Sequence, residues 1–142
     1  MSMYGQFQTD TSLETQGIII DYGSFRVTIA RAGGANKRFS KTLESKTKPF
    51  KRAIQTDTMD NERGLEILRE VYAEAIVLNW ETKKDNTFVQ GIEAQDGSLL
   101  PFSKENVVAT FKNLPDLFTD IQQQAEKSAL FRKLLQEQDS KN

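Results

Sequence analysis

The chain has 142 residues, 37% hydrophobic and 27% charged, with nineteen basic side chains against twenty acidic ones and a net charge of −1. That is the length of one domain with a real core, and the charge balance supplies no global attraction to nucleic acid or membrane. There is no cysteine and no histidine, which excludes disulfides, thiolate nucleophiles, imidazole bases and the usual zinc ligand sets; the missing cysteine fits a reducing cytoplasm.

Residues 1–15 are polar, with Phe7 and Leu13 isolated among Gln, Thr and Ser, and read as a flexible arm, with simple terminal disorder and a docking segment both open. They carry neither the basic start nor the apolar run of a secretory signal. The longest strongly apolar run is Ile18-Ile19-Ile20, far short of the roughly 20 residues that a membrane-spanning helix needs. The chain reads as soluble, with no membrane partner.

Residues 16–35 read as a β-hairpin. Ile18-Ile19-Ile20 is a β-branched run, and Asp21-Tyr22-Gly23-Ser24 supplies a turn with a glycine able to take positive φ. Phe25, Val27 and Ile29 then alternate with Arg26, Thr28 and Ala30, the period of a half-buried strand. Ala32-Gly33-Gly34-Ala35-Asn36 closes the hairpin as a loop.

Residues 36–80 read as helical. Asn36 opens a helix to about Thr47, with Phe39 and Leu43 on one face. Pro49 breaks it, and Phe50 and Ile54 start a short further turn. The periodicity then predicts a long central helix over residues 60–78. Its stripe is Leu65, Leu68, Tyr72, Ala75, Ile76 and Asn79, widened by Val71. Asp60, Glu62 and Glu66 complement its N-terminal dipole.

Residues 81–102 read as turn-rich, with a short strand through Phe88, Val89 and Ile92 and with Gly91 as a bulge. Residues 103–138 read as helices. Ser103 caps the first, which carries Val107, Val108 and Phe111. Pro115 opens the second, which carries Leu117, Phe118, Ile121 and Ala125, and a third begins near Ser128 with Leu130, Phe131, Leu134 and Leu135. The expected fold is α+β: a small N-terminal antiparallel β-hairpin or sheet packed on a mainly α-helical body.

Motifs for catalysis are missing. Gly33-Gly34 lacks the lysine and spacing of a phosphate-binding loop. Ser40-Lys41 and Ser103-Lys104 are adjacent pairs that point apart on a helix and read as caps or surface residues. Asp57, Asp60 and Glu62 lack the calcium-loop pattern. No catalytic residue, cofactor site or metal site is assigned, and the chain is expected not to be an enzyme.

Two surfaces remain as candidates. Lys37, Arg38, Lys41, Lys48, Lys51 and Arg52, with Lys46, face a single Glu44 in their stretch. They form a basic patch for an acidic partner or nucleic acid, or a solvated face balanced by the acidic residues from Asp57 to Glu74. The balanced reading is preferred, so nucleic acid is disfavoured. The second surface is the apolar set Leu117, Phe118, Leu130, Phe131, Leu134 and Leu135. It is divided between core and an exposed partner-binding patch, with self-association following if the patch is open.

The order of several pieces resembles the tail assembly chaperones of long-tailed, siphovirus-like bacteriophages. They are the Asp21-Tyr22-Gly23 hairpin, the Asn36 to Phe39 step with its basic continuation, Asn79-Trp80-Glu81 at the end of the long helix, and Leu114-Pro115-Asp116-Leu117-Phe118. The resemblance implies a non-catalytic protein of the host cytoplasm, made during infection. It would bind the tape-measure protein, and secondarily tail-tube subunits, before the tube polymerises; families of this kind often make a second, longer product by frameshifting. Two other readings compete: a structural tail or virion component, and a small nucleic-acid-binding regulator.

Overall fold

A computed structural model describes residues 2–133 as a mixed α+β fold. Two short helices, α1 (Met3–Phe7) and α2 (Thr11–Gln16), open the chain. The hairpin follows as β1 (Ile18–Asp21) and β2 (Phe25–Ile29), antiparallel with Ile20 opposite Val27. Its turn is closed by Tyr22 N–H donating to the Phe25 carbonyl at 2.9 Å. Gly23 there has φ of +92°, a conformation costly for any residue with a Cβ.

Helix α3 (Lys37–Thr47) leads through a 3₁₀ turn (Lys48–Phe50) into α4 (Lys51–Gln55). The 3₁₀ turn starts around Pro49, which cannot supply the backbone donor a continuing helix needs. The central helix is α5 (Asn61–Ala75). It buries Ile67, Val71, Tyr72 and Ala75, whereas Leu65, expected on its inner stripe, is exposed.

The chain then departs from the expected helix over residues 60–78. Strand β3 (Val77–Lys84) begins two residues after α5 ends, so Val77, Leu78, Asn79 and Trp80 are strand residues. The reason is non-local. β3 pairs antiparallel with β2, placing Trp80 opposite Val27 and Val77 opposite Ile29. Val77 and Trp80 are buried in this strand, and the ladder to β2 satisfies its backbone groups, a partner that local periodicity cannot show. The register shifts between Thr28 and Ile29, where Leu78 is the extra residue of a bulge.

The turn-rich stretch is also more ordered than its composition suggests. Beyond β3 it holds β4 (Thr87–Gln90), β5 (Ile92–Glu93) and β6 (Leu99–Leu100). The main sheet has the order β1-β2-β3-β4, and β5 and β6 form a separate two-stranded ribbon. The Thr82 hydroxyl donates to the Gly91 carbonyl at 2.9 Å and accepts from Glu93 N–H at 3.0 Å, tying the ribbon to the sheet. The Trp80 indole donates to the Leu100 carbonyl at 3.1 Å.

Helices α6 (Lys104–Asn113) and α7 (Pro115–Glu126) follow, then a 3₁₀ turn (Ser128–Phe131) and a bridge from Arg132 back to Thr9. The Ser103 hydroxyl caps α6 by accepting from Asn106 N–H at 3.1 Å. One core joins Val27, Ile29, Tyr72, Ile76, Trp80, Val107, Phe111, Phe118 and Ile121. Tyr72 stands edge-on to Phe118 with ring centroids 5.6 Å apart, and Phe118 lies 4.7 Å from Phe111. These contacts fasten α5 to α6 and α7 beneath the sheet.

The segment expected as a flexible arm is docked. Asp10 caps α2 by accepting from Ser12 and Leu13 N–H groups. Glu14 is buried, accepting from the Arg31 guanidinium and from Ala35 N–H. Gly34 has φ of +54°, and a Cβ there would lie 2.0 Å from a Glu14 carboxylate oxygen. Among the described residues, no helix is long and apolar enough to cross a membrane.

Candidate functional site

The C-terminal apolar set separates by helical phase. Phe118 shares one face of α7 with Ile121 and Ala125, three and seven residues on, and all three are buried. Leu117 is half-buried and packs on the core edge. Phe131 is fully buried in the final 3₁₀ turn. Its carbonyl accepts from Asp10 N–H at 2.7 Å, and Lys133 N–H donates to the Gln8 carbonyl at 3.0 Å. The N-terminal segment therefore pairs with the backbone of the turn that carries Phe131, a pairing across the whole chain that no local pattern announces. Phe118 and Phe131 are core residues and not an open patch. Leu130 is 38% exposed, and Leu134 and Leu135 lie outside the described residues.

The exposed apolar cluster lies instead at the other end of the chain. Met3, Tyr4 and Phe7 on α1 are 76%, 72% and 68% exposed. They line an open groove of about 360 Å³ with Gln8. The Arg132 guanidinium sits 5.0 Å from the Phe7 ring centroid, fixing one side of the cluster. Spacing could have found it, because Met3 and Phe7 are four apart and share a helical face. Isolated apolar residues in a polar stretch gave too little signal for a helix.

The basic stretch is a solvated face whose cations touch the acidic helix α5 at one point. Lys46 alone of its cations reaches the acidic face of α5, within 3.8 Å of Glu70 and 4.0 Å of Glu74. Lys37, Arg38, Lys41, Lys48, Lys51 and Arg52 are all exposed, and none makes an ion pair among the described residues. Arg38 acts on Glu74 only through space, where it helps Lys104 and Lys46 hold that carboxyl below its usual range. The main cause of the Glu74 shift is the hydrogen bond from Lys104 at 2.9 Å.

A second groove of about 540 Å³ runs between α5 and α6. Glu66, Glu70 and Glu105 and the cations Arg69, Lys104 and Lys112 line it together, so it has no net preference for either sign. The paired Ser-Lys sequences are structural. The Ser40 hydroxyl donates to the Lys37 carbonyl at 3.0 Å, Ser103 caps α6, and Lys104 bonds Glu74. Among the described residues, no group of three or more carboxylates is placed to hold a metal.

Over residues 34–142 the chain matches the family described as YdaY prophage protein. Neither a curated protein nor a solved structure matches it. The matched region starts in the loop before α3 and takes in every later element, well over half of the chain; this protein belongs to the YdaY prophage protein family and is of phage origin.

Proposed function

We propose that this chain is a phage tail assembly chaperone. It binds the tape-measure protein in the host cytoplasm, and secondarily tail-tube subunits, and it catalyses nothing. The observation that carries the reading is the apolar cluster of Met3, Tyr4 and Phe7, exposed on a short helix that the fold holds at its surface. Contiguous exposed apolar surface on a protein of this size marks a partner site. A tape-measure protein is a long helical chain with apolar stripes before the tube forms, and covering such a stripe is helix-to-surface recognition. The prophage family supports the biological setting.

The test is co-expression with the tape-measure protein encoded by the same phage genome, followed by pull-down and a solubility assay. The expected result is co-purification and rescued solubility with the wild-type chain. The M3S/Y4S/F7S variant, whose changes lie outside the core, should lose both with its melting temperature unchanged. Absence of binding, with the chain present in purified virions, would replace this reading with a structural tail component.

A further inference from the structure

We infer that the elbow formed by α3, the 3₁₀ turn and α4 is a docking surface for an acidic, amphipathic segment of a partner protein. The inference rests on the chaperone reading for the partner's identity but not for its chemistry. Seven cations against Glu44 give residues 37–52 a net charge of +6. With −1 for the whole chain, the remaining residues carry −7. Near neutrality in composition therefore hides a strong separation of charge along the chain.

Cations that stabilise a fold are tied to carboxylates, as Lys46 is to Glu70 and Glu74. Six others on this elbow are exposed and have no ion-pair partner among the described residues. Along α3 and its C-cap residue Lys48, still in helical conformation, a rise of 1.5 Å per residue places Lys37, Lys41 and Lys48 over a row about 16 Å long. Three turns of a partner helix span the same distance. Holding like charges together costs free energy, and an anionic ligand relieves that cost.

Two observations choose an acidic polypeptide over nucleic acid. First, the −7 carried elsewhere in the chain repels an extended polyanion more than a short acidic segment. Nucleic-acid-binding domains are usually basic overall, and this chain has a pI of about 5.6. Second, the elbow is not purely cationic. Ile54 is exposed one turn after Lys51, and the half-buried Phe50 ring lies 5.7 Å beneath the Arg63 guanidinium. Apolar side chains beside exposed cations suit a protein interface, and phosphate has no use for them.

The experiment uses the full chain and three fluorescent probes: a helical peptide of about 20 residues with Glu and Leu on opposite faces, the same peptide with Gln for Glu, and a duplex DNA of about 20 base pairs. The acidic peptide is expected to bind. The Gln peptide and the K41E/K51E/R52E variant should each weaken binding about tenfold or more, and I54S a few-fold. Added salt should weaken the wild-type complex and leave the residual binding of the variant unaffected. Equal binding by wild type and the charge-reversed variant would overturn the inference. So would DNA binding tighter than the acidic peptide at equal ionic strength, which assigns the elbow to nucleic acid. Salt-sensitive self-association abolished by the reversal would assign it to the acidic surface of a second copy. Co-expression with the tape-measure protein separates the two readings. Capture by both the wild type and the reversed variant leaves the chaperone reading standing without this one. Acidic-peptide binding without tape-measure capture does the opposite.

Discussion

Glu14 and Arg31 form a buried ion pair in which the carboxylate is only 2% exposed and the guanidinium 22%. The pair links α2 to the loop after β2, and the Arg31 N–H also donates to the Glu14 carbonyl at 3.0 Å. The two ends are unequal. Removing Arg31 leaves a buried charge with only Ala35 N–H beside it, whereas removing the charge of Glu14 leaves an arginine that can turn to water. R31M should cost about 3–5 kcal/mol and E14Q less, about 1–2 kcal/mol. The double variant should cost less than the two added together. Urea unfolding of the four proteins checks this, and equal costs for R31M and E14Q would show that the pair is not buried as described.

Phe118 and Phe131 belong to the core, so F118A and F131A should each lose about 3–5 kcal/mol, and F118S or F131S should fail to fold. L130S, on an exposed side chain, should stay within about 0.5 kcal/mol of wild type. Thermal melts compare them. A folded F131S chain would return that residue to the partner-binding surface.

The tyrosines make the fold sensitive to alkali. Burial, helped by Glu126, pushes the Tyr72 phenol up to about 12 from 10.0. Burial and a hydrogen bond to Asp120 push Tyr22 up as well. Both folded values lie above the unfolded one. Their contribution is therefore complete below pH 10 and is lost as pH rises from there through the folded values, because the unfolded chain gives up its protons first. Tyr72 alone represents on the order of 2 kcal/mol by pH 12. Melting temperatures from about pH 8 to 11.5 should fall steeply only in the upper part of the range, and Y22F should flatten the slope.

The family match begins at Gly34, yet the fold does not. A fragment of residues 34–142 lacks β2, and so exposes the edge of β3 and removes Val27 and Ile29 from the core. Losing that pairing should leave the fragment unfolded or aggregated, since an open hydrophobic edge pairs with other chains. A cooperative melt from this fragment would show that the N-terminal hairpin is an accessory to the fold.

Local chemistry in the sequence determined the elements whose signals lie within a few residues. The Gly23 turn, the Ser103 cap, the break at Pro49 and the start at Pro115 each depend on one side chain's hydrogen bonding or ring. The alternation from Phe25 to Ile29 and the stripe through Phe118, Ile121 and Ala125 likewise follow from a period that neighbours alone can set. The basic stretch from Lys37 to Arg52 was legible as charge, but its balance was not. Composition sets Asp57 to Glu74 against it, and only the packing of α3 on α5 shows that, of the stretch's own cations, Lys46 is the one that pairs with them. Tertiary structure also decided that Val77 to Trp80 is strand, because β2 lies fifty residues away in sequence and supplies the ladder. It decided where Phe131 sits, because the backbone around it pairs with Gln8 and Asp10 at the other end of the chain. Burial and strand pairing are properties of two segments at once, and a sequence read along one direction carries the pattern of each without the contact between them.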